Sequence, residues 1–178
     1  MPGTELLSWF DRARGGLTET FAAVDPALRV PWFGLPMSAA SSLTARIMET
    51  WAHGQDVADG LSVVSTPSAR LRHVAHIGVG ARAFSYLANG REVPKESLRV
   101  EFTAPGGGLW SWGPEDAANR VTGSVLEFCL LVTQRRHRDD TALAAAGPLA
   151  DEWLSIVQAF AGPPGGGRKP GQFAGGAS

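Results

Sequence analysis

The 178-residue chain carries 16 basic and 17 acidic side chains, a formal net charge of −1, and one cysteine, Cys129. That near-neutral balance, with no basic stripe interleaved with aromatics, excludes a nucleic-acid binder. The lone cysteine excludes a disulfide framework or thiolate metal cluster, and no apolar run approaches the ~18 residues of a membrane span. No basic region followed by an apolar core opens the sequence, so no secretion leader is expected and a reducing cytoplasm is the expected compartment.

The first expected helix runs from Glu5 to Val24 with Thr4 as its cap. Leu6, Phe10, Leu17 and Phe21 recur at helical spacing, and Gly15-Gly16 weakens its middle. Pro26, Pro31 and Pro36, with Gly34 and the apolar Trp32 and Phe33, predict an ordered crossover rather than a loose linker. A second helix is expected from Ser38 to Leu61, capped by its serine and ended by Gly60. A third is expected to start at Thr66-Pro67, a hydroxyl followed by proline at the first helical position, and to stop at Asn89-Gly90. Val74, Ile77, Val79, Phe84 and Leu87 make it apolar on most faces.

After Gly90 the period changes from helical to two. Leu98–Thr103 and Leu109–Trp112 alternate around Pro105-Gly-Gly-Gly108, which predicts a β-hairpin. Trp110 and Trp112 share one face of it and read as core. Asn119–Thr122 is a further strand, leading into a helix at Ser124, where Ser124-Val-Leu-Glu127 has the spacing of a capping box. Cys129 lies inside the apolar run 125–132 and reads as a buried, inert thiol. Arg135-Arg136-His137-Arg138 follows as a cationic helix C-terminus, with phosphate or substrate anchoring as its second reading. The last helix starts at Gly147-Pro148 and carries Leu149, Trp153, Ile156 and Phe160; a Gly/Pro-rich tail follows from Gly162. The expected organisation is α+β: a helical domain over 1–92, an α/β domain over 93–162, and a disordered tail over 163–178.

The chemistry-bearing residues lie on the second helix. At 100° per residue, Glu49, His53 and Asp56 share one side. A carboxylate and an imidazole four apart can converge on one divalent cation. Asp56 could then orient His53 or serve as a further ligand. With Leu43, Ile47, Trp51 and Leu61 on the other side, the same pair can equally be a solvated face. His73 and His76, one turn apart on the third helix, are candidate ligands or satisfied helix histidines; His137 reads as surface.

Several segments together resemble the actinobacterial metal-binding proteins related to mycothiol-dependent maleylpyruvate isomerase, within the wider DinB-like group. They are Arg29-Val-Pro-Trp-Phe-Gly with Pro36-Met-Ser-Ala-Ala40, Met48-Glu-Thr-Trp-Ala-His-Gly-Gln-Asp-Val-Ala58, and Arg70-Leu-Arg-His-Val-Ala-His-Ile-Gly78. Phe102-Thr-Ala-Pro105, Trp112-Gly-Pro-Glu115, Val121-Thr-Gly123 and Phe128-Cys-Leu-Leu-Val-Thr-Gln-Arg-Arg136 continue the likeness, which extends from Leu6 to Pro164. The resemblance implies a helical bundle holding a metal, usually zinc, through two histidines and a glutamate. Glu49 and His53 match that Glu-x-x-x-His pair. The other histidine is implied on an earlier helix, ahead of the segment matching Glu5–Val24, so the first two bundle helices are expected to be missing here.

The second domain resembles a sterol-carrier-like α/β unit. The implied activity is that of a metal- and thiol-dependent isomerase or transferase, with mycothiol as the thiol and a small-molecule substrate as partner. The alternative is a non-catalytic binding module with a vestigial metal site. Apolar faces left by missing helices imply a homo-oligomer.

Overall fold

A computed structural model describes residues 2–32 and 36–173; Phe33 and Gly34 of the expected crossover lie outside them. The fold is α+β, as the sequence predicts. The chain divides into two compact units, Met1–Thr44 and Ala45–Ser178.

The first unit holds helix α1 (Gly3–Ala23) and a two-residue antiparallel ladder, β1 (Arg29–Val30) with β2 (Met37–Ser38). Helix α1 runs unbroken through Gly15-Gly16 and makes no side-chain cap bond, so Thr4 does not cap it. None of its residues is buried, and Leu6, Phe10 and Leu17 of its apolar stripe are exposed. Helix α2 (Ala39–Gly60) begins in this unit and continues into the second. Ser38 caps it, accepting the Ser41 N–H at 3.1 Å. It ends at Gly60 as expected, but the left-handed residue that closes it is Ser62, at φ 54°, with Val63 N–H bonded to Ala58 O and Ser62 N–H to Asp59 O.

In the second unit, the helix expected over 66–89 is two: α3 (Leu71–Gly80) and α4 (Arg82–Ala88). Helix α3 packs on α5 (Val125–Val132), and α4 packs on α6 (Pro148–Ile156). A straight helix could not face both, and the chain breaks at Ala81. The α3–α5 approach is close: a Cβ on Gly78 would lie 2.9 Å from Val132 Cγ2. Gly90 ends α4 as expected, at φ 66° with Arg91 N–H bonded to Tyr86 O. The domain boundary expected at 92/93 therefore falls inside this unit, because α3 and α4 bury their apolar faces on the helices of the α/β part.

Strands β3 (Leu98–Thr103) and β4 (Leu109–Trp112) form the predicted hairpin, with Val100 opposite Trp112 and Phe102 opposite Trp110. Strand β5 (Asn119–Ser124) pairs parallel to β3, and a short β6 (Ala144–Ala146), not expected from the sequence, pairs antiparallel to β5. The order is β4-β3-β5-β6. One sheet face enters the core, where Phe102 stacks on Phe128 at 4.5 Å and Phe128 meets Trp153 at 5.7 Å. Trp110 and Trp112 are half-buried against that core. The opposite face carries Glu101 between Arg99 (3.0 Å) and Arg120 (2.7 Å).

The expected capping box at α5 is divided. Ser124 Oγ accepts the Leu126 N–H at 3.2 Å, while Glu127 reaches away to accept the Ala142 N–H at 3.1 Å. Helix α6 stops at Ile156, so Phe160 lies beyond it. Residues 157–173 have no helix or strand, yet they fold back onto the unit through Arg168 and Phe173. Cys129 is fully buried, and burial pushes its thiol far up, so it is inert as expected. No helix among the described residues is long and apolar enough to cross a membrane.

Candidate functional site

Within the second unit, α2 buries a stripe of Ala45, Met48, Ala52, Gln55 and Ala58 at three- and four-residue spacing. Three of these five are alanines, and Trp51 stays half-buried while Leu61 is exposed, so Trp51 and Leu61 do not define its buried face. Glu49, His53 and Asp56 run along the edge of that stripe. His53 Nε2 lies 3.4 Å from Glu49 Oε2, and its Nδ1 lies 3.4 Å from Asp56 Oδ2. His53 thus sits between two carboxylates on one helix.

Asp56 is anchored from elsewhere in the chain. Arg135 holds it through two nitrogens, Nη2 to Oδ2 at 2.7 Å and Nε to Oδ1 at 3.2 Å. Arg168 Nη2 adds a bond to Oδ1 at 2.9 Å. One turn further, Arg136 binds both oxygens of Asp59 at 2.8 and 2.9 Å, and Gln55 Nε2 donates to the same carboxylate at 2.8 Å. Burial works to raise the pKa of both aspartates, but the arginine bonds and charges outweigh it and hold each below the ordinary carboxylate range.

The backbone reason for this clamp is the end of α5. Gln134 takes the left-handed conformation at φ 59°, with Arg135 N–H bonded to Leu130 O and Gln134 N–H to Leu131 O. This stop turns Arg135 and Arg136 back towards α2. They are therefore ion-pair partners of α2 rather than a free cationic helix end.

These side chains wall a cavity of about 480 Å³ lined by Glu49, His53, Asp56, Arg135, Phe160 and Arg168. The other sequence candidates lie elsewhere. His73 is exposed on α3, and His76 accepts the Trp112 Nε1–H at 3.3 Å; neither lines this cavity. His137 caps a short 3-10 turn, accepting the Asp139 N–H at 3.1 Å. Arg168 had no signal in the sequence beyond its place in a glycine-rich tail, and Asp59 none beyond its spacing from Asp56.

The donor chemistry has a clear limit. Among the described residues, no group of three or more His, Cys, Asp or Glu is placed to hold a metal ion. Glu49 and His53 are a two-donor set. Their atoms nevertheless suit one cation: two ligands at ~2.1 Å on a tetrahedral ion stand about 3.4 Å apart, the separation found between Oε2 and Nε2. Asp56, on the other ring nitrogen, favours the tautomer that leaves Nε2 free to ligate.

Residues 1–58 match the family model described as the mycothiol maleylpyruvate isomerase N-terminal domain, and residues 94–146 match the one described as wyosine base formation. Two proteins of Mycobacterium tuberculosis, one from each of two strains and both described as uncharacterized, are 52% identical over 164 residues. The match covers 92% of this chain and 64% of each relative, so the chain spans less than two-thirds of their length. No solved structure matches the chain significantly.

Proposed function

We propose that this chain is a metal-binding protein of the mycothiol-dependent maleylpyruvate isomerase type, with Glu49 and His53 holding a divalent metal, zinc, and a low-molecular-weight thiol as co-substrate. The observation that carries the reading is the 3.4 Å between Glu49 Oε2 and His53 Nε2, with Asp56 behind the imidazole. The family-model match over residues 1–58 includes this segment and supports it. When bound, the metal would supply a Lewis-acid position at which a thiol ionises to the nucleophilic thiolate.

The chain's own residues do the rest. Asp56, fixed by Arg135 and Arg168, keeps the imidazole in its ligating tautomer. The cavity of about 480 Å³ has room for a thiol and a small substrate, and Phe160 gives it an apolar wall. A second reading, a non-catalytic binding module, is favoured by the two-donor count.

Zinc titration of the purified chain against a chromophoric chelator separates the two. The isomerase-type reading requires one zinc per chain, lost in His53→Ala and weakened about tenfold or more in Asp56→Asn. Substoichiometric zinc that is unchanged by His53→Ala would overturn it.

A further inference from the structure

A second cavity, of about 230 Å³, lies beside the first and shares Gln134, Gly167 and Arg168 with it. Its charged lining is of one sign. Arg136, His137, Arg138 and Arg168 all face it, and among its described lining residues there is no Asp or Glu. Arg136 is buried and Arg138 and Arg168 are half-buried, and charges so placed are costly unless something answers them.

The carboxylates that answer them all sit outside the cavity. Asp59 binds Arg136 at 2.8 Å, Asp151 binds Arg138 at 2.7 Å, and Asp56 binds Arg168 at 2.9 Å. Arg136 is held through both terminal nitrogens by Asp59 and the Arg135 carbonyl, and Arg138 through both by the carboxylate and carbonyl of Asp151, whereas Arg168 is held at Nη2 alone and keeps the most donors uncommitted. The Arg168 Nε is buried and has no hydrogen-bond partner. His137 accepts at Nδ1, which leaves its Nε2–H as a further donor. The fourth wall is the backbone of Gly165–Arg168, whose N–H groups make no hydrogen bond among the described residues.

We infer that this cavity binds a small oxyanion, the phosphoryl group of a phosphate monoester. A lining of three arginines, a histidine and a glycine-rich backbone suits a tetrahedral anion, with several acceptor oxygens, better than a planar carboxylate. The volume exceeds what inorganic phosphate needs and leaves space for a small ester group. The second reading of the Arg135–Arg138 cluster, phosphate anchoring, thus attaches to Arg136–Arg138 together with Arg168. The inference stands independently of the metal reading, since neither Glu49 nor His53 lines this cavity.

The test titrates inorganic phosphate and phenyl phosphate into the full chain at constant ionic strength, with chloride as control, and follows backbone amide shifts and heat. Saturable binding is expected, tighter for phenyl phosphate, with the largest shifts at Gly165–Arg168. Arg138→Gln, which gives up an ion pair to the exposed Asp151 carboxylate and a long bond to its carbonyl, should weaken binding about tenfold or more. Gly166→Asp should do the same without disturbing the fold, because a Cβ there meets nothing within 4 Å. Arg91→Gln, whose ion pair with Glu152 lies elsewhere, should leave binding unchanged. A non-saturating response, an equal response to chloride, or equal affinity in all three variants would overturn the inference.

Discussion

Replacing Asp59 by Asn tests the clamp that fixes the end of α5 to α2. The pair it breaks is buried, with side chains 9% and 7% exposed for Arg136 and Asp59. At 2.8 Å and an effective dielectric of ~20, the gross attraction is about 6 kcal/mol, much of it offset by the desolvation both ions have already undergone. What the substitution leaves behind decides the cost: a buried guanidinium whose two carboxylate bonds become, at best, one amide bond. Removing one partner of such a pair costs about 3–5 kcal/mol, and the residual amide bond places Asp59→Asn at the lower end.

Urea unfolding of Asp59→Asn, with Asp11→Asn as control, measures this. The Asp11–Arg14 pair is 65% and 68% exposed, so its loss should cost no more than about 0.5 kcal/mol. The double variant Asp59→Leu/Arg136→Met should cost less than the sum of its singles, since neither charge is left buried alone. A cost below about 1 kcal/mol for Asp59→Asn, or one equal to the control, would refute the clamp.

Acid stability follows from the same residues. Asp56 and Asp59 have folded pKa values held below the ordinary carboxylate value of about 4, so the unfolded chain binds protons more readily than the folded one. Their contribution is therefore complete above that ordinary value and is lost as pH falls through the depressed ones; urea midpoints should drop below about pH 4, less steeply in Asp56→Asn and Asp59→Asn. At the hairpin, Gly113→Ala should destabilise by about 2–4 kcal/mol, because its φ is +81° and an added Cβ would lie 2.0 Å from the Leu98 carbonyl oxygen. Thermal unfolding beside Gly166→Ala, which meets open space, should show the contrast.

The parts of this fold that were legible in the sequence are those governed by local period. The hairpin strands alternate cleanly, and Glu49, His53 and Asp56 fall on one side because a helix turns by a fixed angle. Local stop signals are less legible: Asn89-Gly90 does end α4, but at α2 and α5 the left-handed residues are Ser62 and Gln134, side chains that do not announce that conformation. The break at Ala81 was invisible because it answers to two separate partners, α5 and α6. The parallel pairing of β5 with β3 had no local signature either, since it spans an intervening strand. Least legible were the clamps on α2. Arg135 reaches Asp56 from 79 residues away and Arg168 from 112, so no window of sequence contains both ends.

Those distant contacts decide what Asp56 can be. A carboxylate offers about four lone-pair positions. Here Oδ2 serves Arg135 Nη2 and His53 Nδ1, and Oδ1 serves Arg135 Nε and Arg168 Nη2. Its acceptor capacity is filled, which removes it as a further metal ligand and leaves it the task of orienting His53. The same count explains why the tail matters to this edge of α2: Arg168 supplies one of those four contacts, and on its other side lends a donor to the oxyanion cavity. The two proposed sites therefore touch at one residue yet separate cleanly by variant. Asp56→Asn acts on the imidazole and so on zinc, whereas Arg138→Gln acts only on phosphate. Arg168→Gln should weaken both, and a loss confined to either would show that the two cavities do not share this side chain.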